Sequence, residues 1–190
     1  MVSTILIEGS ARHVHVTQGD LETLYGAGYA LRVKRMLSQT GEFLSEEKLR
    51  AEGPKGAIDR ISILGPVRKV TQVELSMTDA RILGVDAPLR ESGDVEGSAA
   101  VRLTGPAGSI DLTQGAIVAK RHVHLRPEDA RAIGVENKQI VSVRVGGPRG
   151  VTFHEVVARV HENFMPAMHI DFDEMNAAGL SGEVQGEIIV

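Results

Sequence analysis

The sequence has no cysteine and no tryptophan across its 190 residues, and aromatic residues amount to only 3%. Without cysteine there is no disulfide framework, no thiolate nucleophile and no Cys-ligated metal, so any metal must be held by His, Asp or Glu. Positive charge lacks a pattern: 21 Lys and Arg are scattered against 25 Asp and Glu, the formal charge is −4, and no basic run or stacking aromatic array offers a nucleic-acid footprint. Nucleic acid is excluded as a partner. No apolar stretch approaches the roughly 18 residues of a spanning helix. Thr4-Ile5-Leu6-Ile7 lacks the basic flank and the length of a secretory signal, so no membrane partner is expected and the cytoplasm is the expected location. Present instead are abundant Val, Ile and Leu and 21 Gly, the balance of short strands joined by tight turns. At 42% hydrophobic, the chain can build one ordinary domain or two small ones.

Seven His carry most of the remaining information. Arg12-His13-Val14-His15-Val16 and Arg121-His122-Val123-His124-Leu125 are near copies, and the residues downstream of each are also alike. Thr17, Asp20 and Gly26 come after His15; Arg126, Pro127, Asp129 and Gly134 come after His124. The frame recurs as Glu74, Ser76, Asp79, Gly84 and as His169, Asp171, Glu174, Gly179. It predicts a strand, a helix cap, a short helix and a glycine stop, with Thr17-x-x-Asp20, Ser76-x-x-Asp79 and Asp171-x-x-Glu174 as capping boxes. Arg126 breaks the cap rule, and Pro127 at the first helical position starts that helix instead. His15, Glu74, His124 and His169 thus share one place, the end of a strand feeding a helix.

A second repeat is interleaved. Gly53-Pro54-Lys55-Gly56, Gly105-Pro106-Ala107-Gly108 and Gly147-Pro148-Arg149-Gly150 each predict a tight turn between strands. Hairpins alternating with strand-to-helix corners, on connections too short for repeated βαβ crossovers, predict a mainly β protein with short helices, built as two small β-barrels related by internal duplication. Residues 86–97 are the most loop-like stretch and a candidate functional loop.

Residues two apart on a strand share a face, so His13 with His15, and His122 with His124, each present two imidazoles to one cation. Duplication groups them as His13, His15, Glu74 and as His122, His124, His169; a shared dinuclear centre and a single site fed by both halves are the other arrangements of the same six residues. Three N/O ligands with a fourth position open suit catalytic zinc. His154 and His161 fit neither frame. Arg68, six residues before Glu74, falls on its face if the strand is regular, where it is an anion holder, a solvated surface arginine or the partner of a carboxylate. Arg12 and Arg121 fall on the opposite face and suit structural ion pairs. Ser92-Gly93 offers a hydroxyl and backbone N–H groups to phosphate. No P-loop and no Gly-x-Ser-x-Gly elbow is present.

Ser10-Ala-Arg-His-Val-His-Val, Gly65-Pro-Val-Arg68 through Glu74-Leu-Ser76, Arg90-Glu-Ser92-Gly93, Ala119-Lys-Arg-His-Val-His and Met168-His169 through Asn176 together resemble the PduL-type phosphate acyltransferases. The resemblance spans nearly the whole chain. It implies barrel domains over 12–119 and over 120–190 with a first strand from 1–11, two zinc ions in a site between them, and acyl exchange between coenzyme A and phosphate with acetyl or propanoyl groups. It also implies that His13, His15 and Glu74 bind one zinc and His122, His124 and His169 the other, that Arg68 contacts phosphate as the catalytic arginine, that Ser92 and Gly93 approach it, and that the protein is a homodimer. Phe172 and Met175 stand where smaller residues are expected. Members housed in bacterial microcompartments carry an amphipathic extension, whereas nine residues precede Ser10, so a cytoplasmic member, or a trimmed one from a microcompartment lumen, is expected. A zinc hydrolase and a metal-binding scaffold are the alternatives.

Overall fold

Period-two alternation decides which face of each strand turns inward. Val14 stands between His13 and His15, Val73 between Gln72 and Glu74, Val123 between His122 and His124, and these valines are fully buried in apolar cores. The computed structural model describes residues 3–190. The elements begin with β1 (Ser3–Ser10), β2 (His13–His15), α1 (Gln18–Tyr25), β3 (Val33–Met36), β4 (Phe43–Glu52), β5 (Ala57–Gly65), β6 (Gln72–Leu75), α2 (Met77–Leu83) and β7 (Leu89–Arg90). They continue with β8 (Ala99–Thr104), β9 (Ser109–Ala119), β10 (His122–Leu125), α3 (Pro127–Ile133), β11 (Ile140–Val145), β12 (Val151–Val160), β13 (Ala167–Asp171), α4 (Phe172–Ala178) and β14 (Val184–Ile189).

The chain divides into two compact units, Ala11–Ala119 and Lys120–Val190 with β1. In the second, β1-β13-β10-β12-β11-β14 closes into a barrel. In the first, β9-β6-β2-β5-β4-β8 forms the same ring, with β3 added beside β4 and β7 beside β9. Taken in those orders, every neighbouring pair agrees in sense, for instance β1 with β13 and β9 with β6 parallel, β13 with β10 and β6 with β2 antiparallel. Two mainly β barrels related by internal duplication are therefore present. The duplication extends to backbone detail. Arg60 in β5 and Glu155 in β12 both adopt positive φ, 59° and 56°. Each lies at a register shift, between the partners of Leu49 and Ala51 and of Val141 and Val143, where a bulge re-aims the strand.

The helices start and stop as their cap residues dictate. Thr17 accepts from the Asp20 N–H at 3.1 Å. Ser76 with Asp79 and Asp171 with Glu174 form reciprocal capping boxes. Arg126 gives no cap and turns to Asp129 at 2.9 Å, leaving Pro127 to open α3. Gly84, Gly134 and Gly179 take the left-handed stop.

Hairpin tips then serve the helix ends. At the β4–β5 tip Lys55 N–H donates to Leu83 O of α2 at 3.0 Å, and at the β8–β9 tip Ala107 N–H donates to Leu24 O of α1 at 2.9 Å. At the β11–β12 tip Arg149 Nε donates to Ala177 O of α4 at 3.0 Å. Carbonyls that a helix leaves unpaired are satisfied in this way. The approach needs bare backbone: a Cβ on Gly53 would lie 2.3 Å from Leu83 O, and one on Gly105 2.5 Å from Leu24 O. Gly53→Ala is expected to lower the unfolding free energy by about 1–3 kcal/mol. Gly19→Ala, in α1 with nothing within 4 Å of the added carbon, is expected to raise it by about 0.5–1 kcal/mol. Urea unfolding of the two variants checks both signs.

Candidate functional site

In the Ala11–Ala119 barrel, antiparallel pairing of β2 with β6 sets His13 opposite Glu74 and His15 opposite Gln72. The four side chains lie on one face, away from the Val14 and Val73 core, and all are buried. His13 Nδ1–H donates to Ala11 O at 2.9 Å and His15 Nδ1–H to Leu64 O at 3.2 Å. Because a carbonyl only accepts, each Nδ1 carries the proton and each neutral ring keeps its lone pair on Nε2. The two Nε2 atoms stand 3.2 Å apart, and Glu74 brings Oε2 to 3.5 Å from one and Oε1 to 4.0 Å from the other. Acceptors crowded like this attract a cation.

The protonation of the cluster obeys the same logic. Burial works against the charged form of His13, but the Glu74 carboxylate outweighs it and raises the His13 pKa. His15 is pushed down to about 3, by burial and then by His13 and Arg68. Glu74 is lowered despite its burial, because His13 stabilises its charge. His15 is thus kept neutral beside a Glu74 carboxylate that stays charged. Two imidazole nitrogens and a carboxylate, with tautomers fixed by backbone, fit zinc.

In the other barrel β10 and β13 set His122 opposite His169. His122 Nδ1–H donates to Lys120 O at 2.9 Å, the counterpart of the His13–Ala11 bond. The ring centroids of His122, His124 and His169 are 4.8 to 5.2 Å apart. His124 stacks on Phe164 at 4.1 Å, and both of its ring nitrogens are buried without a hydrogen-bond partner among the described residues. Burial, followed by the charges of His122 and His169, holds its pKa far below the ordinary imidazole value. An imidazole kept neutral and unpaired in this way is a ligand in waiting. In each trio the donor atoms lie within 4.8 Å of one another. The six expected ligands therefore assemble three to a barrel.

The residues expected near phosphate belong to the Ala11–Ala119 barrel. Arg68 does not continue the β6 strand, which begins at Gln72; it lies in a loop after β5 and is anchored by Arg68 N–H to Val16 O at 2.8 Å. Strand parity therefore does not apply to it, because the chain bends at Lys69 and Val70 before β6 begins. Its guanidinium still reaches Ser92 Oγ at 3.3 Å and pairs with Glu42 at 2.7 Å. The Gly93 N–H is not turned outward: it donates to Gln72 Oε1 at 2.8 Å, while Gln72 Nε2 donates to Glu74 Oε1 and to Ser92 Oγ, both at 2.7 Å. Gln72 thus ties the Glu74 carboxylate to the Ser92–Gly93 loop. Its face and parity are visible in the sequence, but the partners of its amide are not.

Arg12 pairs with Asp79 at 2.6 Å and Arg121 with Glu174 at 2.7 Å. His154 and His161 lie outside both trios, on Ser142 and beside Phe164. Phe172 and Met175 sit over Gly9, where an added Cβ would meet them at 2.9 and 3.1 Å.

A family model described as phosphate propanoyltransferase matches residues 6–181. The chain belongs to the phosphate propanoyltransferase family. Relatives carrying that name include one from Enterococcus faecalis, 46% identical over 98% of this chain and 89% of its own. One from Thermotoga maritima is 48% identical over 93% and 85%, and one from Lachnoclostridium phytofermentans 49% identical over 90% and 81%. Within this family frame the polar square of His13, His15, Gln72 and Glu74 is held by bonds that a hydrophobic isostere cannot make. Gln72→Leu leaves the buried Glu74 Oε1 short of a partner and releases the half-buried Ser92 and the exposed Gly93 from the strand, and is expected to cost about 1–3 kcal/mol. Urea denaturation and faster amide exchange at Gly93 check it.

Proposed function

We propose that this protein transfers a short acyl group between coenzyme A and phosphate, with zinc held by His13, His15 and Glu74 in one barrel and by His122, His124 and His169 in the other. Membership of the phosphate propanoyltransferase family supports a phosphate acyltransferase. The observation that carries the zinc assignment is the pair of trios whose donor atoms fall within 4.8 Å, with His124 buried and unpaired. The reaction joins a phosphate oxygen to the thioester carbonyl carbon and breaks the C–S bond, so that acyl phosphate and the thiolate of coenzyme A result, and the proton that hydrogen phosphate gives up balances the one the thiolate takes up.

Zinc, when bound, supplies Lewis acidity toward a carbonyl or phosphate oxygen and affinity for a departing thiolate. The chain supplies orientation. Backbone carbonyls of Ala11, Leu64 and Lys120 fix the tautomers of His13, His15 and His122 before any ligand arrives. Arg68 presents a planar fork to phosphate, with Glu42 and Ser92 steadying it. Ser92 Oγ lies beside that fork, and Gly93, at φ 96°, shapes the loop while Gln72 holds it. Positioning and charge stabilisation of this kind raise the rate without a covalent enzyme intermediate, which suits a chain lacking cysteine.

The family resemblance carries a homodimer, and a location in the cytoplasm or a microcompartment lumen, into the same reading. Among the described residues no helix is long and apolar enough to cross a membrane.

Free thiol released from acetyl-CoA or propanoyl-CoA, and measured with and without phosphate or arsenate, tests the activity. Release that requires the oxyanion is expected; release without it overturns transfer in favour of hydrolysis, and none at all in favour of a scaffold. Arg68→Ala is expected to cut turnover by about 10²–10³-fold while zinc content, expected at two per chain, stays at the wild-type value. Unchanged turnover removes Arg68 from the mechanism.

A further inference from the structure

The two trios differ in charge. His13, His15 and Glu74 include a carboxylate, whereas three neutral imidazoles have none. A dication among the latter lacks the negative charge that its counterpart receives directly. Internal duplication shows where to look. In the first barrel Glu74 is flanked on β9 by Ile117, its register partner, which is fully buried. In the second, the matching neighbour of His169 is on β1, and that residue is Glu8. Glu8 Oε2 stands 2.9 Å from His169 Nε2. Their side chains are 30% and 19% exposed, so the contact is partly sheltered from water.

We propose that Glu8 is the positioning carboxylate of the three-histidine cluster: it accepts the Nε2–H of His169, leaves that ring's lone pair on Nδ1, and returns to this barrel the charge that Glu74 contributes in the other. The inference rests on the zinc assignment above and adds a residue to it. A carboxylate accepts but cannot donate when ionised, so the shared proton belongs to the imidazole. Carboxylate, imidazole and metal in series is a recurrent arrangement, in which the outer group both orients the ring and raises its basicity. Glu8 is outside the group of three rings whose donor atoms lie within 4.8 Å, which fits an outer partner and not a fourth ligand. Its side chain is held by the strand itself: Glu8 and His169 are cross-strand partners in a parallel pair, and Gly9, the next residue, lies under Phe172 and Met175 of the helix that His169's strand feeds.

Each barrel then carries one carboxylate for its cation, directly in one and one hydrogen bond removed in the other. Two cations with matched net charge but unlike ligand sets differ in affinity and exchange rate.

Zinc affinity measured by competition with a chromogenic chelator tests this, in the wild-type protein and in a His13→Ala variant that keeps only the three-histidine cluster intact. In both backgrounds Glu8→Gln removes the charge at constant shape, and Glu8→Ile installs the residue found at the matching place beside Glu74. Both are expected to weaken the three-histidine zinc by about 10–100-fold, and to leave the other equivalent unchanged in the chain that retains His13. Melting of the metal-free variants separates this from unfolding, since Glu8→Gln is expected to melt with its parent. Full affinity at both equivalents in Glu8→Gln and Glu8→Ile overturns the role of Glu8 and leaves the zinc assignment standing. A wild-type protein that takes up no zinc overturns the assignment, and Glu8's part with it.

Discussion

The bond from an imidazole Nδ1–H to a backbone carbonyl two residues earlier in the chain is the interaction on which the site depends. It occurs at His13 with Ala11 and again at His122 with Lys120. Such a bond requires an irregular residue just before a strand, so that the carbonyl bends toward the ring. Both places are where the chain leaves one barrel and enters the other, after β1 and after β9. The crossing from barrel to barrel is therefore also what fixes ring orientation. The 3.2 Å approach of the two Nε2 atoms comes from rings that are not free to turn, His13 held by Ala11 O and His15 by Leu64 O.

Burial adds to this. The donors stand on strands whose other face is a packed apolar core, with Val14, Val73, Val123 and Met168 fully buried behind them. Shifting any of these strands by one residue would exchange the core residues with the His and Glu side chains, a cost large enough to hold the register. Hydrophobic packing, which has no direction of its own, in this way confers direction on the histidines.

How much is legible in the sequence depends on the distance over which each feature is decided. Helix caps and glycine stops are local, and Ser76, Asp171, Gly84 and Gly179 act as their spacing implies. The His pairs with Glu74 and His169 are legible because the chain repeats its own frame. Strand parity misplaces Arg68, since it lies in a loop that bends at Lys69 and Val70 before β6 begins; yet that loop brings the guanidinium to Ser92 all the same. The turns at Gly53 and Gly105 are visible as turns, but nothing nearby announces that their tips satisfy the ends of α2 and α1. Glu8 leaves no local trace, because its meaning comes from a partner 161 residues away.

That separation has a bearing on synthesis. A chain emerging from its N-terminus completes the Ala11–Ala119 ring as soon as β9 is out, because all of that ring's strands fall between β2 and β9. The other ring includes β1, which is made before every strand of the first ring and stays without its neighbours until β13 and β14 emerge. Over that interval an apolar segment, Ile5 to Ile7, has its edges unpaired, a state that invites association with other nascent chains. The last barrel to close is the one that must retrieve its oldest piece.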